Sequence, residues 1–243
     1  MFELIVLGSS VGIVSGFFGI GGGTILVPLL LLLGFGTKEA IGISTVQMVF
    51  SSVYGSYLNN KKGTLDISMV LIIGIGGFVG AGFSGLVANV LSENILEIIF
   101  LVFAFFALLR LFFQPKVHSK KINSNPIVLF LLGFLLGMLS MTIGVGGSII
   151  LVPILVGFWN VKLKDATSAG LFFVVFSSIS GMISHTLSGQ VDFEKGVIIG
   201  FASLLGVYIG VQLKDKVDPV LQKKLLVVFY TMIVTYLIYR IFT

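Results

Sequence analysis

The sequence predicts an all-α polytopic membrane protein of two inverted-topology repeats, each a broken helix or hairpin followed by three transmembrane helices. Three observations carry that prediction: long charge-free apolar runs, an internal duplication, and an uneven distribution of lysine and arginine among the loops. The 243 residues are 56% hydrophobic and only 10% charged, with a mean hydropathy of +1.14. Soluble domains carry ~25% charged residues, so a water-soluble enzyme or nucleic-acid binder is excluded. No charged residue occurs over 4–37, 40–60, 67–92, 122–161, 166–191 or 196–213. About 20 apolar residues cross the hydrocarbon core as a helix.

The duplication is read by laying the chain on itself. Residues 19–28 are GIGGGTILVP and residues 144–153 are GVGGSIILVP, an offset of 125, with Gly12 and Ser15 matching Gly137 and Ser140. One residue is then gained, so that Lys38-Glu39-Ala40 meets Lys164-Asp165-Ala166 and Phe50-Ser51-Ser52 meets Phe176-Ser177-Ser178. Gly63, Asp66 and Gly80 meet Gly189, Asp192 and Gly206. The repeats are therefore 1–111 and 127–243, joined by a basic, proline-containing linker at 112–126 that is expected to be cytoplasmic. Duplicated halves are a transporter signature.

Each repeat opens on a long element, 3–34 or 127–157, and continues with spans near 40–59, 68–91 and 94–113, or 165–187, 195–213 and 219–241. As one helix the opening element would be roughly 46 Å long, too long for an upright crossing. Two crossings need about 40 residues. Glycines fill its middle, and each destabilises a helix interior by ~1 kcal/mol relative to alanine. The element is thus a tilted, broken span or a hairpin. The positive-inside rule decides between them. A single crossing divides the basic residues eight against seven; a hairpin leaves Lys38, Lys195 and Arg240 on one side and twelve on the other. The hairpin follows, and with it both termini outside and a second repeat inserted upside down.

In that arrangement Gly19, Gly21, Gly22 and Gly23 form a turn inside the membrane, and Gly144, Gly146, Gly147 and Ser148 form its mate from the opposite face. Irregular backbone at that depth must be buried in protein or line a cavity. The helices that start at Thr24 and Ser148 carry unpaired N–H groups and about half a positive charge at their first turns. Two such ends make an anion site without a buried lysine. Pro28 and Pro153 read as the helix-break residues just after each turn, where a lost N–H costs little. Close packing through small residues is the bland alternative, and it suits a different set: Gly76, Gly80, Ser84, Gly196, Gly200, Gly206 and Gly210. A dinucleotide loop is excluded because no βαβ unit surrounds the glycines.

Polar residues within spans complete the candidate binding set: Ser44, Gln47, Ser51 and Ser52 in the first repeat, Thr167, Ser168, Ser177 and Ser178 in the second. Hydroxyls in membrane helices commonly bond to their own carbonyls, which is the competing role for each. His185, near a span end, is a possible gate or proton site, with a solvated interfacial position as its bland reading. No residue is read as catalytic: Ser178 and His185 are two helical turns apart, ~10 Å. The absence of cysteine excludes disulfides and thiolate metal sites, and two histidines 67 positions apart make no zinc site. No cofactor and no nucleic-acid partner are expected. The expected partners are a small anionic substrate and the lipid bilayer, and nothing in the residues sets an oligomeric state. No removable signal peptide is read at Met1-Phe2-Glu3. No acidic residue lies at the centre of a span, in contrast to proton-coupled carriers.

The doubled GxGGG-xxxx-P motif resembles the TauE/SafE sulfite exporter family over essentially the whole chain. So do KEAIGISTVQMVFSSVYGSYLNNKKGTLD at 38–66 and KDATSAGLFFVVFSSISGMISHTLSGQVD at 164–192. The resemblance implies export of sulfite, or of organosulfonates such as sulfoacetate, across the cytoplasmic membrane. It places the family motif on Gly19, Gly21, Gly22, Gly23 and Pro28 and on Gly144, Gly146, Gly147 and Pro153, with Ser148 in place of the third glycine. The family hydroxyl falls on Ser44, whereas its counterpart here is Gly170. A passive anion channel, or an importer of another small oxyanion, would share every one of these features.

Overall fold

Backbone amides in a hydrocarbon layer have no water to bond, so a chain this apolar satisfies them within helices. The computed structural model describes residues 1–62, 67–112, 125–159 and 161–242, and these contain helices and no strand. In order they are α1 (Phe2–Phe18), α2 (Gly23–Leu32), α3 (Thr37–Lys61), α4 (Ile67–Ala81), α5 (Ser84–Val90) and α6 (Glu93–Phe112), then α7 (Pro126–Thr142), α8 (Ser148–Trp159), α9 (Leu163–Leu187), α10 (Phe193–Lys216) and α11 (Pro219–Phe242). Most of the linker, together with Gly63, Asp66 and His118, lies outside the described residues.

Among the described residues four segments are long and apolar enough to cross a membrane: Val70–Val90, α9, α10 and Val220–Phe242. Helix α3 matches α9 at 25 residues but is more polar, carrying Ser44, Thr45, Gln47, Ser51 and Ser52. Large apolar side chains such as Phe78, Leu86, Val102, Phe201, Leu205 and Met232 stand exposed around the bundle, the surface a lipid environment covers.

Glycine contacts fix how the helices run. Gly8, Gly12 and Gly16 of α1 back onto Ile199, Ser203 and Val207 of α10, so the two run in the same direction. Gly133 and Gly137 of α7 meet Ile73 and Gly77 of α4 in the same way. Gly196 and Gly200 abut Val46 and Phe50, which sets α3 parallel to α10. Helix α9 is antiparallel to α3, since Gly55 faces Leu171 while Gly42 faces Gln190. The packing role assigned to Gly76, Gly80, Gly206 and Gly210 is seen directly: each faces a backbone atom of α7 or α1. A valine at Gly206 would overlap the Ser9 carbonyl. Overpacking of this kind costs about 1–3 kcal/mol, so Gly206→Val should lower the melting temperature measured in detergent.

The stretch 68–91, expected as one span, is long and apolar enough to cross as one from Val70 to Val90, but its helix is interrupted at Gly82 and Phe83, between α4 and α5. Its cause is a neighbour. The Ser184 hydroxyl of α9 donates to Gly82 O at 2.7 Å and accepts from Gly85 N at 2.9 Å, entering the helical ladder.

Two polar clusters close the ends of the bundle. At one end Thr37 Oγ1 donates to Glu97 at 2.7 Å, and Arg240 donates to Glu97 at 3.1 Å and to Leu31 O at 3.2 Å, tying α2, α3, α6 and α11. Lys195 pairs there with Glu39 and, at 2.7 Å, with Asp192, the N-cap of α10; that ammonium holds the Asp192 carboxyl below its usual range. At the other end Asp215 bridges Lys62 and Lys164 at 2.5 and 2.6 Å.

Candidate functional site

Both opening elements break at their glycines. Helix α1 stops at Gly19, in the left-handed region at φ 68°, with its N–H on Ser15 O at 2.9 Å. Helix α7 stops likewise: Val145 N donates to Ser140 O at 2.9 Å, and Gly144 has φ 70°. Gly21 and Gly146 follow at φ 69° and 81°. A side chain there would cost ~1–2 kcal/mol per residue, so each turn needs glycine for its path. Helices α2 and α8 then start at Gly23 and Ser148.

The prolines do not break these helices. Pro28 and Pro153 lie inside α2 and α8, past the first turn. Each removes the N–H that would bond to the carbonyl four residues back, Thr24 or Ile149. The helices carry through, and the break in each element lies at its glycine turn instead.

The two turns lie against each other. A Cβ on Gly23 would overlap Gly144 O, while one on Gly170 would sit 3.0 Å from both Gly19 O and Ser148 Cβ. Gly21 and Gly146 share one pair of neighbours, Met48 and Val174. Ser44 Oγ donates to Gly144 O at 2.8 Å, and Ser177 Oγ donates to Gly146 O at 3.2 Å, so each hydroxyl holds a turn carbonyl. Gly22 faces the Gln47 carboxamide; its counterpart Gly147 faces the ring of Phe173.

Gln47 is fully buried, and neither its Oε1 nor its Nε2 has a partner. The buried hydroxyls of Thr24 and Ser148, at the first turns of α2 and α8, have none either. Unpartnered buried amides and hydroxyls cost roughly 1–3 kcal/mol each. The structure thus gathers Gly19, Gly21, Gly22, Gly23, Gly144, Gly146, Gly147, Ser44, Gln47, Ser148 and Ser177 about the paired turns.

The polar side-chain atoms of the other candidates bond away from the turns. Ser51, Ser52 and Ser178 bond to carbonyls of their own helices, and Ser52 Oγ also lies 3.5 Å from Ser178 Oγ. Thr167 donates to Lys164 O at 2.8 Å and touches Gly19 through its Cβ and carbonyl. Ser168 accepts from Lys214 Nζ at 3.0 Å. His185 corrects the solvated reading: it is fully buried, with Nε2 on Met141 O at 2.9 Å and Nδ1 2.6 Å from Gln190 Oε1. It clamps the end of α9 to the last turn of α7. The sequence reading missed Met48 and Val174, whose side chains look like ordinary lipid-span residues. It also missed Lys214, placed beyond the span end although no stop signal occurs before Pro219.

Among the described residues no cluster of metal ligands occurs. No solved structure matches the chain significantly. The family model described as "Sulfite exporter TauE/SafE" matches residues 4–237. A probable membrane transporter protein of Methanocaldococcus jannaschii is 29% identical over 89% of this chain and 87% of its own. The probable membrane transporter protein YunE of Bacillus subtilis is 25% identical over 92% and 90%. Sulfite exporter TauE/SafE family protein 5 of Arabidopsis thaliana is 32% identical over 40% of this chain and 22% of its own. Matched along nearly its whole length, the chain belongs to the TauE/SafE family, a family of membrane transporters and not of enzymes.

Proposed function

We propose that this protein exports a small sulfur-containing anion, sulfite or an organosulfonate such as sulfoacetate, bound where the two glycine turns meet. One observation carries the reading: a carboxamide and two hydroxyls, Gln47, Thr24 and Ser148, lie fully buried without partners beside two helix N-termini. An oxyanion supplies the missing acceptors to the hydroxyls, to Gln47 Nε2 and to the leading N–H groups of α2 and α8.

The halves act as inverted repeats of three net crossings each. Matched residues pair across an apparent two-fold axis: Ser52 lies against its own counterpart Ser178, and Gly21 and Gly146 share Met48 and its counterpart Val174. Gly12 with Ser203 is mirrored by Gly137 with Gly77. The end rich in lysine, with Lys61, Lys62, Lys164 and Lys216, faces the cytoplasm, both termini face outward, and the linker is cytoplasmic.

Every glycine of both turns is buried, which favours a carrier passing through closed states over an open channel. His185 serves as a gate latch for the second turn, since its bond to Met141 O must break before α7 and α9 part.

An inside-negative potential drives a monovalent anion outward by ~2.3 kcal/mol per 100 mV. Sulfite-loaded proteoliposomes test the proposal. Efflux should be saturable and should accelerate under an imposed inside-negative potential; efflux indifferent to potential, or growing linearly without saturation, contradicts it.

A further inference from the structure

Lys214 is buried at the lysine-rich end of the bundle, with 4% of its surface exposed. An ammonium has three donors, and here all three meet neutral oxygens: Asn59 Oδ1 at 3.2 Å, Lys164 O at 3.3 Å and Ser168 Oγ at 3.0 Å. Among the described residues no carboxylate pairs with it. The nearest in sequence, Asp215, is engaged by Lys62 and Lys164. Desolvating an ammonium costs several kcal/mol unless an opposite charge compensates. A buried cation whose contacts are all neutral oxygens, with its nearest carboxylate held by two other lysines, therefore calls for a function.

Its position supplies one. Ser168 follows Thr167, whose carbonyl lies against Gly19, and Gly170 lies against both Gly19 O and Ser148. Residues two apart on a helix are separated by ~3 Å along its axis, so along α9 the residue that binds the ammonium lies less than one turn from those that touch the first glycine turn. Lys62 and Lys164, with Asp215 between them, border it on the open side.

We propose that Lys214 is a docking station for the transported oxyanion, occupied after entry from the lysine-rich face and before transfer to the paired turns. This rests on the transport reading above and adds to it a cation the turns themselves lack. The anion supplies a negative charge in direct contact, and Ser168 and Asn59 hold the ammonium in place while the site is empty.

The test uses full-length protein in phosphatidylcholine vesicles, which offer no anionic headgroup, and measures sulfite efflux against internal sulfite concentration. Lys214→Met should raise the half-saturating concentration about tenfold or more, the worth of a hydrogen bond to a charged group, while Lys214→Arg recovers most of the loss. Asn59→Asp keeps the lysine packed but places a carboxylate beside it. It should raise the melting temperature and yet raise the half-saturating concentration as Lys214→Met does. A lysine that only supports the fold would leave transport by Asn59→Asp unchanged or improved, and that result overturns the proposal. So does a Lys214→Met variant with unaltered half-saturation, or one that loses maximal rate alone. Failure of the unmodified protein to move sulfite would instead strike the substrate reading, and the same variants would then be scored with sulfoacetate.

Discussion

Replacing Gln47 with leucine is expected to stabilise the protein and to abolish its response to sulfite. The Gln47 side chain is fully buried with both polar atoms unpartnered, and a buried polar group in that state costs about 1–3 kcal/mol. Leucine fills much the same volume without that penalty, so the melting temperature in detergent should rise by several degrees. Sulfite, expected to raise the melting temperature of the unmodified protein by binding its folded form, should no longer do so, and vesicle efflux should fall to background. Opposite signs for stability and function mark a group kept for its ligand. A drop in stability with binding intact would assign Gln47 to packing. Phe173, which the sequence offset of 126 matches to Gln47, is apolar and buried.

The second large effect is expected at the turns. Leucine at Gly147 meets two obstacles: a φ of 79° and the Phe173 ring, 2.6 Å from where its Cβ would stand. Leucine at Gly22 meets one, the Gln47 carboxamide, since Gly22 has an ordinary φ of −68°. Both variants should lose sulfite stabilisation and efflux, and Gly147→Leu should lose more thermal stability, because backbone strain adds about 1–2 kcal/mol to the clash. Gly189→Ala provides the comparison. It also has a positive φ, 70°, but with open space around its Cβ, so it should lose about 1–2 kcal/mol of stability and keep its transport. Vesicle flux and melting curves on the three variants separate strain from loss of the site.

The breaks were legible because glycines come there in bunches followed by a proline, twice, at matching positions. Ser44, Gln47 and Ser177 were legible as polar residues in spans that otherwise hold none without reason. Their division of labour was not. Ser44 spends its hydroxyl on Gly144 O, a residue 100 positions away, whereas Gln47 finds nothing, and no local pattern distinguishes the two. The kink at Gly82 was hidden for the same reason: Ser184, from another helix, causes it. Pro28 and Pro153 suggested breaks by rule, but each removes a single ladder bond near the start of its helix and leaves the later ones in place. Lys214 reads as a loop lysine because it falls one residue past the expected end of its span, 195–213. Its burial needs Asn59 and Ser168 from two other helices, a juxtaposition only the fold creates. His185 resembled an interfacial residue by its distance from the span centre, and became a buried clamp through Met141 and Gln190.

The most direct test is a structure determined with selenite, a heavier relative of sulfite whose selenium can be located by anomalous scattering. The account expects one strong peak between the two turns, within hydrogen-bonding reach of Gln47, Thr24 and Ser148 and of the first amides of α2 and α8. Selenium found only elsewhere in the protein, with Gln47, Thr24 and Ser148 still unpartnered, would contradict it.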